Sequence, residues 1–197
     1  MDEVFPLQEG IDYTKLKLTP EGEYSVTRRR DGDRILNIMR SVLGDLKTKS
    51  ITDATGCVGG DTIQFGLQFQ LVHSIEVNSE NFEALHNNVS VYNLQNVILH
   101  KGDSTNIFNW HTDALYIDPP WGGPEYHTQK ILDLYMSSKR IDLWLEEILL
   151  RKNRPSHIFI KLPHNYNFPR FNFLSNVDRI KPYRIRSYVL VEITVHK

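Results

Sequence analysis

Four short stretches carry residue types suited to chemistry. The most specific is Ala114-Leu-Tyr-Ile-Asp118-Pro119-Pro120-Trp121-Gly122-Gly123-Pro124-Glu125-Tyr126. An apolar run ends at an acid and enters two prolines and an aromatic. Prolines lack an N–H and fix φ, so such a loop is stiff and its carbonyls point in set directions. Asp118 and the Pro119 carbonyl together can hold an exocyclic amino group by its two hydrogens, with Trp121 stacking on the base. This is a way to aim an amino nitrogen at a methyl donor. The ordinary reading of Trp121, a core tryptophan, is the weaker one at the end of a strand in this pattern.

The other three end or follow short expected strands. Asp53-Ala-Thr-Gly-Cys-Val-Gly-Gly-Asp-Thr places glycines at 56, 59 and 60 behind an acid. Glycines let a backbone turn sharply and approach a ligand closely. No Gly-Lys-Ser/Thr closes the segment and it is not a clean Gly-x-Gly-x-x-Gly, so it is not a phosphate loop. An acid ahead of the glycines suits an amino-bearing ligand better than a pyrophosphate; an ordinary Gly-rich turn is the plain alternative. Glu76 ends Ser74-Ile75-Glu76, 23 residues after Asp53, where a carboxylate can accept both hydroxyls of a ribose. Asp103 follows Val97-Ile-Leu-His-Lys-Gly102 and can accept an adenine amino hydrogen, although Gly-Asp turns are common.

The elements that must position these residues alternate. Strands are expected at 50–54, 71–76, 97–99, 114–118 and 156–162. Two more are expected between 177 and 195, where 188–195 alternates in polarity. Helices are expected from about Asp33, with Ile35, Met39, Val42 and Leu46 at helical spacing, and over 61–69. A third, over 79–92, has Ser79 as N-cap and Phe82, Leu85, Val89 and Tyr92 on one face. Helical segments within 129–150 follow, with Leu143, Glu146, Glu147 and Leu150 amphipathic. Residues 1–31 read as irregular, with a Thr-Pro-Glu-Gly turn at 19–22. Alternating strands and helices imply an α/β, doubly wound, mostly parallel sheet. Such sheets bind ligands at the carboxyl ends of their strands, at the topological switch point.

Composition sets the frame. The 197 residues suffice for one ordinary domain, and 40% hydrophobic with 24% charged argues for a folded chain. A single cysteine excludes a disulfide framework and a Cys-rich zinc module, and no metal is expected. No apolar run approaches the roughly 20 residues of a membrane span, and the acidic Met-Asp-Glu-Val-Phe-Pro start is not a signal peptide. The expectation is an intracellular protein, nucleus and cytoplasm not distinguished, with no membrane partner and a monomer favoured. The formal net charge of -1 excludes a uniformly basic nucleic-acid coat. It hides an asymmetry: residues 1–138 carry 11 basic and 19 acidic side chains, residues 139–197 carry 12 and 5. Clusters lie at Arg151, Lys152 and Arg154, at Arg179, Lys181, Arg184 and Arg186, and at Arg28-Arg29-Arg30. Charge runs are ordinarily solvated faces; a phosphate-bearing substrate would give them another use.

Taken together, the four strand ends resemble a class I S-adenosylmethionine-dependent methyltransferase, and Asp-Pro-Pro-aromatic resembles its amino-methylating members. The longer string Pro119-Pro-Trp-Gly-Gly-Pro-Glu-Tyr126 is similar to the trimethylguanosine synthase family, which methylates N2 of a 7-methylguanosine RNA cap. Gly22-Glu-Tyr-Ser-Val-Thr27, Cys57-Val-Gly-Gly-Asp-Thr-Ile-Gln-Phe65 and Leu162-Pro-His-Asn165 resemble further segments of that family in the same order. There are departures. Asp118 stands where the family more often has Ser, an acid there being common among adenine-N6 enzymes. Gly56-Cys57 inverts a more usual Cys-Gly, and His164 stands for Arg. The long N-terminal extension of many eukaryotic relatives is absent, which suggests a bare catalytic core.

The resemblance implies a Rossmann-like class I methyltransferase fold: a mostly parallel seven-stranded sheet with an antiparallel C-terminal strand and helices on both faces. It implies a substrate-binding extension over 1–31, packed on a methyltransferase domain over 32–197. It implies S-adenosyl-L-methionine as cofactor, bound by Thr27, Asp53, Thr55, Gly56, Gly59, Glu76, Asp103, Ser104 and Asp118. Asp118, Pro119 and Trp121 would be catalytic. Lys15, Ser25, Trp121, Pro124, Tyr126, His164 and Asn165 would bind 7-methylguanosine-capped RNA, with Lys17 and the C-terminal basic residues near its triphosphate. The rivals are an adenine-N6 methyltransferase on DNA or RNA, a non-catalytic cap- or RNA-binding subunit, and, more distantly, a dehydrogenase.

Overall fold

A computed structural model describes residues 3–196, apart from the side chain of Pro124. The chain divides into two compact units, Met1–Ser104 and Thr105–Lys197. The main sheet has seven strands: β3-β2-β1 belong to the first unit and β4-β7-β9-β8 to the second. That sheet bears out the expected fold class.

In the first unit α1 (Pro20–Ser25) and α2 (Arg29–Leu43) precede β1 (Ser50–Asp53). Then α3 (Gly60–Gln68), β2 (Leu71–Glu76), α4 (Ser79–Val91) and β3 (Val97–Lys101) follow. β1 and β2 pair in parallel, Asp53 opposite Ser74; β2 and β3 also pair in parallel, Glu76 opposite Lys101. The acids Asp53 and Glu76 therefore end neighbouring strands on the same edge. α5 (Ser104–Ile107) leads out of this unit.

Residues 13–25 are not irregular. Thr19 is an N-cap whose hydroxyl accepts from Gly22 N, and Pro20 takes the first helical position. The four residues read as a turn open α1, because Pro at that position lacks an N–H the helix would leave unpaired anyway. A 3-10 turn covers Tyr13–Lys15. α2 begins at Arg29 rather than near Asp33, since nothing in Arg29-Arg30-Asp31 breaks a helix; Gly44 ends it with φ 77. Asn78, not Ser79, caps α4, its side chain accepting from Glu80 N and Asn81 N. The α4 face is as expected: Leu85, Val89 and Tyr92 are buried and Phe82 packs against them, together with Phe5, Leu16, Val58 and Ile63. Residues 5–18 thus pack within the first unit. Tyr92 Oη donates to Pro6 O at 2.6 Å, and buried Asn88 bonds Lys17 N, Lys17 O and Val58 O, each at 2.8 Å.

The second unit holds β4 (Ala114–Ile117), a 3-10 turn over Pro124–Thr128, and a small hairpin of β5 (Tyr135–Met136) and β6 (Lys139–Arg140). α6 (Ile141–Leu149), β7 (His157–Leu162), a 3-10 segment Phe168–Phe173, β8 (Val177–Ile185) and β9 (Tyr188–Val195) complete it. β4 and β7 are parallel; β9 is antiparallel to both β7 and β8. Residues 129–140 are not helical: the hairpin takes 135–140, and Leu132 bridges to Tyr166. The buried face of α6 is Ile141, Trp144, Leu145, Ile148 and Leu149, while Leu143 and Leu150 are exposed. β9 is buried along nearly its whole length rather than on alternate residues, because it lies between β7 and β8 in the sheet. Among the described residues no helix is long and apolar enough to cross a membrane.

Candidate active site

The first unit builds a cradle of acids and backbone N–H groups. Asp53, at the end of β1, is fully buried. Its Oδ1 accepts from Thr55 N at 3.1 Å and its Oδ2 from Thr62 Oγ1 at 2.6 Å. It therefore ties the start of the Gly-rich turn to α3. Gly56 N donates to Ile75 O at 2.8 Å, and a Cβ on Gly56 would lie 2.4 Å from Ser74 Oγ, so the turn is pressed against β2. Gly59 caps α3 with φ 97. Cys57 takes φ 46 without being glycine; the inverted Gly-Cys order moves a side chain into the left-handed region, at a cost of about 1–2 kcal/mol. Burial pushes its thiol up to about 11, so it stays protonated near neutral pH.

Glu76 ends β2 and is buried. Oε2 accepts from Cys57 N at 2.8 Å and Oε1 from Asn78 N at 2.6 Å. Burial raises its carboxyl above the usual 4.5, Glu21 adds to that rise, and the Asn78, Cys57 and Val77 N–H groups oppose it. Glu21 lies on α1, and Ser25 Oγ on the same helix is 3.4 Å from Cys57 Sγ. Ser25 thus lies with the donor-side residues. Thr27 is buried, its hydroxyl 2.6 Å from Asp61 Oδ2. Asp103 is half-buried just past β3, and buried Ser104 donates from Oγ to Ala54 O, tying that turn to the end of β1. Lys15 is exposed, 3.6 Å from Asp12.

The second unit carries the Asp-Pro-Pro-Trp corner. Asp118 directly follows β4, Pro119 is buried and Pro120 exposed. Gly122 and Gly123 turn the chain with φ 88 and 83, where a Cβ would meet nothing within 4 Å. It is the backbone angle that calls for glycine there. Trp121 packs edge-on to Tyr126 at 5.0 Å between ring centroids. Its buried Nε1 has no hydrogen-bond partner among the described residues. Pro124 opens the following 3-10 turn, and its side chain lies outside the described residues. Asn165 donates from Nδ2 to Tyr126 O at 2.9 Å and to Gln129 O at 2.8 Å, so it clasps the loop behind Trp121. Exposed His164 has Nε2 3.2 Å from Arg186 O. This brings the β8–β9 turn and its Arg186 beside the loop after β7.

One residue escaped the reading of the sequence. Lys161, near the end of β7, is buried, with Nζ 2.7 Å from Asp118 Oδ2. The ammonium lies over the rings of Trp121 at 5.7 Å and Tyr188 at 5.2 Å. The available signal was a lone lysine inside the apolar run Ile158-Phe-Ile-Lys-Leu162. Buried lysines are rare unless paired.

Whether the first unit fits a nucleoside bearing a cationic sulfonium is answered by its donor set. Carboxylates stand at the ends of two adjacent strands and just past a third, over a turn that approaches closely at Gly56 and Gly59. Those groups suit ribose hydroxyls, an amino group and a positive charge, and they fit. Among the described residues no three or more His, Cys, Asp or Glu gather as a metal site.

A family model described as RNA cap guanine-N2 methyltransferase matches residues 48–189. An uncharacterized protein of Acanthamoeba polyphaga mimivirus is 30% identical over 154 residues, covering 76% of this chain and 58% of that protein. The trimethylguanosine synthase of Saccharomyces cerevisiae is 28% identical over 131 residues, 63% of this chain and 41% of its own. The chain spans about half the length of the curated relatives it matches. Among solved structures, a T. thermophilus 16S rRNA N2 G1207 methyltransferase in complex with AdoMet and guanosine superposes with TM-score 0.66 at 12% identity, over 93% of this chain and 45% of that one. An rRNA methylase from Streptococcus thermophilus gives 0.57 at 14%, over 82% and 96%. These likenesses show the fold.

Proposed function

Because the chain belongs to the RNA cap guanine-N2 methyltransferase family, we propose that it moves the methyl of S-adenosylmethionine to the exocyclic N2 of a 7-methylguanosine RNA cap. The products would be 2,7-dimethyl- or 2,2,7-trimethylguanosine caps. The observation that carries the reading is the Asp118–Trp121 corner, an acid, a buried proline and an indole braced by Tyr126 on a clasped glycine turn.

S-adenosylmethionine supplies an electrophilic methyl on sulfonium sulfur. Glu76 would accept from the ribose hydroxyls, Asp103 from the adenine amino group, and the Gly56–Gly59 turn would lie against the amino acid part. Asp53, Thr55, Thr27 and Ser104 act through the turns they hold. On the acceptor side, a 7-methylated guanine is cationic, so stacking on Trp121 gains about 1–2 kcal/mol of cation–π attraction when desolvated. The positive charge also makes the N2 hydrogens better donors to Asp118 and to the Pro119 carbonyl. Holding the amine in line is mostly a positioning effect, which can supply several kcal/mol. His164 and Arg186 would meet the rest of the cap and its phosphates.

Trp121→Ala tests the reading: it should abolish transfer to a 7-methylated cap dinucleotide while S-adenosylmethionine still binds by calorimetry. Loss of both would make Trp121 a structural residue and remove the support.

A further inference from the structure

Lys161 and Asp118 form a partly buried ion pair, their side chains 9% and 17% exposed at 2.7 Å. Two charges this close and this dry interact far more strongly than a surface pair. A positive charge within about 4–6 Å favours the ionised carboxylate. The lysine stem runs from β7 and the carboxylate follows β4, and these strands pair directly, Tyr116 opposite Phe159 and Ile117 opposite Ile160. The pair is therefore built on rigid backbone. Trp121 and Tyr188 lie against the same ammonium, which limits where it can go.

We propose that Lys161 is a positioning residue for methyl transfer: it fixes the Asp118 carboxylate in one orientation and in its ionised form, so that Asp118 orients the target amine and does not take its proton. This inference rests on the acceptor site proposed above. The bond changes balance without a protein base. The nitrogen lone pair makes the N–C bond, the C–S pair stays with sulfur, and the amine proton passes to water. A lone half-buried carboxylate would have been free to act as base; one already bound to an ammonium is a poor proton acceptor. The same ammonium cancels the negative charge of the corner, so attraction for the cationic base falls to the rings and the amine hydrogen bonds.

The test compares wild type with Lys161→Met and Lys161→Arg, all three checked for cooperative melting and S-adenosylmethionine affinity. Two readouts are used. The first is the Asp118 carboxyl titration in substrate-free protein, followed by carbon-13 NMR and assigned with Asp118→Asn. The second is the pH dependence of kcat with 7-methylated cap dinucleotide. Lys161→Met should move the carboxyl midpoint and the acid limb of kcat upward by about one unit or more. It should lower kcat about 10-fold to 100-fold near pH 7 with donor affinity unchanged, and Lys161→Arg should recover both in part. An unmoved carboxyl titration overturns the proposal. So does a moved titration with unchanged kcat and acid limb. A wild type inert toward every acceptor would overturn the acceptor reading and this inference with it, and is recognised because the carboxyl titration still responds to Lys161→Met.

Discussion

In the first unit, Glu76 accepts from backbone N–H groups, Cys57 and Asn78 among them, and Asp53 accepts from Thr55 N–H and the Thr62 hydroxyl. In the second unit, Asp118 accepts from an ammonium. Neutral donors hold a carboxylate in place without cancelling its charge. Burial makes the charge of Glu76 costly enough to raise its carboxyl. An ammonium cancels the charge and keeps the carboxylate ionised. In the proposed reaction one unit would attract a cation and the other would orient an amine.

The largest expected effect is at the amine corner. Asp118→Ala should cut kcat by about 10³-fold, in the range of deleting a transition-state hydrogen-bonding group, with S-adenosylmethionine affinity changed less than about threefold by calorimetry. Comparable losses of both would erase the contrast between the units. Next is Glu76→Ala, which should weaken S-adenosylmethionine about 10-fold to 100-fold, in line with losing a charged hydrogen-bond partner.

Glu76 also gives the donor side a pH dependence. Its folded carboxyl lies above 4.5, so donor affinity should fall as pH drops toward that raised value, and Glu76→Gln should flatten the curve. For folding the sign is the reverse of the usual carboxylate. The folded state holds this proton more tightly than the unfolded one, so the contribution of Glu76 to stability decreases as pH rises through the window between the two values. A Glu76→Gln melting curve that loses stability relative to wild type above that window would contradict it.

Asn88→Ala should cost about 2–4 kcal/mol in chemical denaturation. It removes the partner of the buried Val58 carbonyl and of the half-buried Lys17 backbone groups, and it should reduce donor-side function more than amine recognition. The smallest effect belongs to Lys139→Ala. Its pair with Glu147 at 2.7 Å is solvent-exposed, and its loss should cost under about 0.5 kcal/mol with no change in either half-site.

Much of this was legible in the residues. The strands before Asp53, Glu76 and Asp118 are short, rich in β-formers and stopped by an acid, and that local pattern is enough to place them. What was misread depended on tertiary choices. Thr19-Pro20-Glu21-Gly22 is both a turn signal and a capped helix start, and packing against α4 selects the helix. Residues 129–140 carry no strong period; a two-residue ladder decides 135–140, and Leu132 bridges Tyr166. Leu143 and Leu150 look like a core face until Trp144, Leu145 and Ile148 take it. Lys161 shows in the sequence only as a lone lysine in an apolar run; its partner lies 43 positions away, just past a paired strand. The clasp by Asn165 was noticed only as a candidate ligand, since backbone carbonyl partners leave no trace in a sequence.

The most direct measurement is transfer of labelled methyl from S-adenosylmethionine by purified protein, offered separately 7-methylated cap dinucleotide, unmethylated cap dinucleotide and adenine-containing oligonucleotides. Label entering only the 7-methylated cap is the predicted result, and mass analysis of the product then counts one methyl or two. Label entering adenine would contradict it and assign Asp118 to nucleic-acid N6 chemistry instead.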